Sequence, residues 1–147
     1  MKTFTFDSTI WLPRPVGEIF AFFSDAHNLS VITPPWMHFE TVTPDPIVLE
    51  VGTRFEHRLR VKGVPVRWES EITAWDPPRR FVDEQRRGPY RFWIHEHTFT
   101  SRDGGVDVSD HVKYGVPGGA PINYLLVAPD LRKVFDYRRK ALLDRFR

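Results

Sequence analysis

The side chains able to do chemistry in this sequence are histidines and carboxylates. The chain has 147 residues, six of them histidine, and no cysteine. Thiol nucleophiles, thiolate zinc sites and cysteine-held iron–sulfur clusters are therefore excluded. His95 and His97 stand two apart in Trp93-Ile94-His95-Glu96-His97-Thr98-Phe99. On a strand that spacing points both imidazoles to one face. There they could ligate a metal with Asp110 and His57, or move protons. His97 with Asp110 matches the base–orienter half of a catalytic dyad. No serine is clearly placed as a nucleophile; Ser70 is a candidate only by the face it shares. The plainer reading is a hydrogen-bonded network in which Asp110 fixes an imidazole tautomer. On that reading no metal and no cofactor are expected.

Hairpin register decides whether these residues meet. Asp103-Gly104 is a type I′ turn signal. With those two residues as the loop, His97 lies opposite Asp110, His95 opposite Val112, and Trp93 opposite Tyr114. Val106, Val108, Val112 and Tyr114 define an apolar face on which Asp110 falls. Cross-strand partners share a face, so Trp93, His95, His97 and Phe99 point inward as well. A Lys62-Gly63 loop likewise sets His57 opposite Trp68, with Phe55, Ser70 and Ile72 on the same side. Phe81, Asp83 and Gln85 share one face of the next strand, which is assigned inward. Phe135 and Arg138 follow the stripe of the C-terminal helix. Arg138 on such a helix commonly snorkels to the surface, but here it could point into the same interior and hold a carboxylate or enolate with His57 or His95. Burying polar groups without partners costs roughly 1–3 kcal/mol each. Several on one apolar face imply a paired network or a ligand-filled cavity walled by aromatics.

The elements that position these groups follow from periodicity. Residues 4–12 alternate as a strand with one buried face. Pro13 and Pro15 end it, and Val16, Ile19, Phe20 and Phe23 then trace a short helix to about Ser24. Residues 27–32 read as a further helical turn, broken by Thr33-Pro34-Pro35-Trp36, whose loop is a candidate lid. Strands are expected at 37–43, 53–61, 64–73, 80–85, 90–100 and 106–116. A short helical piece at 122–128 precedes a long helix, with Pro129 predicted to kink or split the two. Leu131, Val134, Phe135, Arg138, Leu142 and Phe146 form its inner stripe. The sum is an α+β domain spanning 1–147: a curved antiparallel sheet of about six to seven strands, short helices after strand 1, and a long C-terminal helix.

Composition narrows the partners. The chain contains 12 Phe, 5 Trp and 4 Tyr, and its net charge is only +2. The basic pairs Arg79-Arg80, Arg86-Arg87 and Arg138-Arg139 sit among acidic residues, so no nucleic-acid partner is expected. The N-terminal residues lack an apolar signal core, and no apolar stretch is long enough to span a membrane. A soluble cytoplasmic protein is expected; the sequence carries no signal for its oligomeric state.

The order of elements resembles the helix-grip fold of the START-like, or SRPBCC, superfamily, which includes pollen-allergen-type lipid binders and polyketide cyclases. Pro89-Tyr90-Arg91-Phe92-Trp93-Ile94-His95-Glu96-His97-Thr98-Phe99 is similar to the P-x-x-x-W-x-H-x-H-x-F string of one bacterial subgroup. Asp110 to Gly119 resembles its D-x-V-x-Y-x-x-P-x-G continuation, and Phe135-Asp136-Tyr137-Arg138 its F-x-Y-R. The resemblance implies a sheet that grips the last helix around a cavity for a hydrophobic or aromatic small molecule. A carrier or sensor is the first expectation, and a cyclase or dehydratase using His97 and Asp110 as general base the second.

Overall fold

The computed structural model describes residues 2–147. Strand β1 (Phe4–Leu12) buries Ile10 and Leu12, as its alternation requires. Pro15 lies in an extended conformation at the entry to helix α1 (Val16–Phe23), which buries Ile19, Phe20, Phe22 and Phe23. A 3-10 turn at Ala26–Ile32 follows, opened by the Asp25 side chain accepting the His27 N–H. A second 3-10 turn spans Pro35–Met37. Strand β2 is only Glu40–Thr41. The longer strand expected at 37–43 is cut short because Met37 belongs to the turn and His38 takes a left-handed φ of 47°.

The rest of the sheet is β3 (Arg54–Val61), β4 (Val64–Asp76), β5 (Arg80–Arg87), β6 (Phe92–Arg102) and β7 (Gly105–Gly115). Its seven strands run in the order β1-β7-β6-β5-β4-β3-β2, each pair antiparallel. Both tight turns carry two left-handed residues, Lys62 and Gly63 in one, Asp103 and Gly104 in the other. That is the type I′ signature, and it sets the expected register. His97 faces Asp110, His95 faces Val112, Trp93 faces Tyr114 and His57 faces Trp68.

The C-terminal region comprises α2 (Ala120–Ile122), a π turn (Asn123–Val127) and α3 (Ala128–Arg145). Pro129 has no N–H to direct at the carbonyl four residues back, and the turn before it winds wide. The interruption expected at Pro129 is thus a π turn, not a break. Leu131, Phe135, Arg138 and Leu142 are the buried stripe of α3. Phe135 meets Phe6 of β1 at 4.7 Å, and Phe146 meets Phe22 of α1 at 5.2 Å. Fully burying each such side chain contributes about 1.5–3 kcal/mol. Among the described residues no helix is long and apolar enough to cross a membrane.

Candidate functional site

Between the concave face of the sheet and α3 lies a cavity of about 190 Å³. Its strand wall is built from Phe55 and His57 of β3, Trp68 and Ser70 of β4, Phe81 and Asp83 of β5, and Trp93, His95 and His97 of β6. Phe135 and Arg138 of α3 complete it. Four residues expected there stand elsewhere. Phe99 is packed behind the wall against Phe20 and Phe23 of α1. Tyr114 is buried beside Trp93 and donates its hydroxyl to Asn123 Oδ1 at 2.8 Å. Asp110 lies beneath the histidines. Gln85 turns its amide to the backbone of Tyr90, donating to its carbonyl at 2.9 Å and accepting its N–H at 3.1 Å. It pins the β5–β6 loop because it lies just past the last β5–β6 pair, Glu84 with Ile94.

Sequence periodicity missed the opposite rim. Thr33, Met37 and Phe39 reach the cavity from the irregular segment after α1, and Tyr90 and Asp130 line it as well. Trp36 does not; it is half exposed and packs edge-on against Tyr137 at 6.0 Å. The alternation of Met37 and Phe39 about His38 was the available signal, although it marks a loop dipping inward and not a strand.

Four buried polar groups, His95, His97, Asp110 and Arg138, form one network with the part-buried Asp83. His97 Nε2 is 2.6 Å from Asp83 Oδ2, and His95 Nε2 is 2.7 Å from Asp110 Oδ1. The strand register places Asp83 opposite His95 and Asp110 opposite His97. Each imidazole therefore bonds the carboxylate diagonal to it, not the one directly across. The expected His97–Asp110 pair is present only as a looser approach, Nδ1 to Oδ1 at 3.5 Å. An ionised carboxylate can only accept, so each histidine carries its proton on Nε2. The lone pair of His97 Nδ1 then faces Arg138 Nη2, a donor at 3.4 Å. Arg138 Nη2 also donates to Asp110 Oδ1 at 3.1 Å.

Aromatic stacking holds this network in place. The His97 ring lies between Phe81, at 4.1 Å, and His95, at 3.7 Å, with all three nearly parallel. Burial and then the neighbouring His95 push the His97 imidazole down to about 4, against the pull of Asp83 and Asp110. Burial alone would raise Asp110, but the Arg138 guanidinium and the His95 bond hold its carboxyl well below the usual range. Asp83 is likewise raised by burial and lowered further by His97, with a net downward shift. At neutral pH the network thus contains two carboxylates, one guanidinium and a neutral His97.

His57 stands apart. It is 2% exposed, between Phe39 at 4.6 Å and Phe55 at 5.1 Å, and neither ring nitrogen has a hydrogen-bond partner. Burial pushes it down to about 4, so it is a neutral imidazole at pH 7.

Asp83, His95 and His97 are close enough to share a metal ion. Both Nε2 atoms are already committed to carboxylates, and a guanidinium lies 3.4 Å from His97. A cation entering there would break two short hydrogen bonds and sit beside a like charge, so the residues fit a self-satisfied network better than a metal centre.

A curved seven-stranded antiparallel sheet closed over a long C-terminal helix defines the helix-grip class. Within it, the chain belongs to the polyketide cyclase/dehydrase and lipid transport family, whose model matches residues 3–147. This places it in the START-like superfamily. Its fold is similar to that of protein CV1439 from Chromobacterium violaceum, with a TM-score of 0.76, 17% identity, and 97% of each chain covered. Ara h 8.0201 gives 0.73 and 19%, covering 99% of this chain and 98% of its own. Ginseng major latex-like protein 151 from Panax ginseng gives 0.73 and 10%, with the same coverage. At these identities the likeness is one of fold. No curated protein matches the sequence significantly.

Proposed function

We propose that residues 1–147 act as one START-like domain that binds a small hydrophobic molecule carrying a polar group, as a carrier or sensor. The observation that carries this reading is the wall itself. Phe55, Trp68, Phe81, Trp93 and Phe135 supply apolar contact area, while His57, Ser70 and Asp83 place polar groups among them. A dry core would bury fewer polar atoms. The family includes both binding proteins and enzymes, and the network favours binding. Both nitrogens of His97 are engaged by protein partners, one by Asp83 and one by Arg138, which leaves it little freedom to take a substrate proton.

A cyclase- or dehydratase-like reaction is the second reading, supported by imidazole–carboxylate pairs at a cavity wall. Its carboxylate partners are Asp83 for His97 and Asp110 for His95. The two readings separate on the fate of the bound compound. Mass spectrometry of whatever co-purifies with the protein should find a small, largely apolar molecule. Under the binding reading, His97→Ala shifts its affinity and leaves it chemically unchanged. Turnover of an aromatic or polyketide-like compound, abolished by that substitution, would replace the binding reading with the enzymatic one.

A further inference from the structure

We infer that the cavity takes a small, electrically neutral aromatic compound bearing a hydroxyl group, and that His57 is the residue that binds this hydroxyl. The inference rests on the ligand-binding reading above and narrows it. Three observations carry it.

The first is the unpartnered imidazole. A neutral histidine offers one N–H and one lone pair. At His57 both are buried, and neither is used by the protein. Its place on β3, on the same face as Phe55 and Leu59, directs the ring toward the cavity. A hydroxyl is the smallest group that can both donate and accept, so it matches either tautomer. A carboxylate or an ether can only accept.

The second is charge. Among the described residues Arg138 is the only Lys or Arg in the lining, and Asp110 and His97 already engage it. Asp25, Asp83 and Asp130 put carboxylates around the same space. His57 and His97 add no positive charge at neutral pH. An anionic head group would find no free cation and several like charges, at a cost that burial magnifies. On this reading Arg138 serves the network and does not join a histidine in holding a carboxylate or enolate.

The third is size. A dry cavity of roughly 150 Å³ accepts a benzene. At about 190 Å³ the present one suits a compound of one or two rings. Phe39 and Phe55 flank the imidazole, so the group it binds would sit at the edge of an aromatic sandwich.

Isothermal titration calorimetry of the purified protein with naphthalene, 2-naphthol and 2-naphthoate tests this at pH 7.5. These share a ring system and differ in the polar group. 2-Naphthol should bind on the order of tenfold more tightly than naphthalene, the effect of satisfying one buried donor–acceptor group. 2-Naphthoate should bind at least tenfold more weakly than 2-naphthol. His57→Leu should erase the preference for 2-naphthol while keeping the naphthalene affinity, which also shows that the variant is folded. His57→Gln, which retains a donor and an acceptor, should restore part of it. Naphthoate binding as well as naphthol, or an undiminished preference in His57→Leu, would overturn the inference while leaving the binding reading intact. If none of the three compounds binds, the inference falls, and the binding reading is then decided by whether a small apolar molecule co-purifies with the protein.

Discussion

Arg138 of α3 holds Asp110 of β7 at 3.1 Å, and both side chains are less than a tenth exposed. The last helix is therefore tied to the sheet by a buried ion pair as well as by apolar packing. The guanidinium also lies over the faces of Phe23 and Phe135, at 5.3 and 5.7 Å from their centroids. One side chain thus joins α1, α3, β6 and β7 beneath the cavity.

Breaking that pair from either side strands a buried charge. Arg138→Leu should destabilise the fold by about 3–5 kcal/mol, and Asp110→Asn by a similar amount. The double variant should lose much less than the sum, because neither member of the pair is then left without its partner. Urea denaturation at pH 7.5 gives all three values. Strict additivity would show that the pair contributes nothing specific.

Stability should fall with acid well above the range where carboxylates titrate. His57 and His97 have folded values near 4, below the 6.5 of an ordinary histidine. Between those values the unfolded chain binds more protons, so stability rises with pH there and is lost as pH drops from about 6.5 toward 4. The loss is on the order of 2–3 kcal/mol for each histidine. Asp83 and Asp110, whose shifts are also downward, add their share only below the ordinary aspartate value of 3.8. Urea midpoints at pH 7.5, 6 and 5 should trace the decline, and His57→Leu should flatten it.

The diagonal pairing fixes the tautomers. With Asp83 and Asp110 as acceptors, His95 and His97 should both carry a proton on Nε2. Nitrogen-15 chemical shifts of the two rings read this directly. A proton on Nδ1 of His97 would be incompatible with Arg138 donating to that atom.

A position far from the cavity offers a contrast. Gly105 begins β7 where a Cβ would run into the Leu12 carbonyl oxygen and come within 2.6 Å of the Trp11 ring. Gly105→Ala should cost roughly 1–3 kcal/mol through overpacking. Its affinity for 2-naphthol should match that of the unsubstituted protein, since no part of the wall moves.

Much of this was legible in the sequence, for identifiable reasons. The Asp103-Gly104 and Lys62-Gly63 turns define register because type I′ loops leave no freedom in the count. Register then placed His57, His95, His97 and Asp110 inside. It could not say which carboxylate each imidazole would take, because register orders Cα atoms while side chains lean across to diagonal neighbours. Asp83 competes for His97, and that competition exists only in three dimensions. Nor could it supply Phe39 or Asp130, which arrive from an irregular segment and from the first turn of a helix. Gln85 shared the right face but ran past the end of the wall.

The edge-on contact of Trp68 and Trp93, 5.3 Å apart at 87°, gives the molecule a reporter of its own. Two indoles this close couple their excited states, and the coupling depends steeply on their separation and angle. Any occupant that wedges against either ring alters the near-ultraviolet circular dichroism of the protein. The cavity can therefore be watched filling without a label, even by a compound that absorbs no light itself.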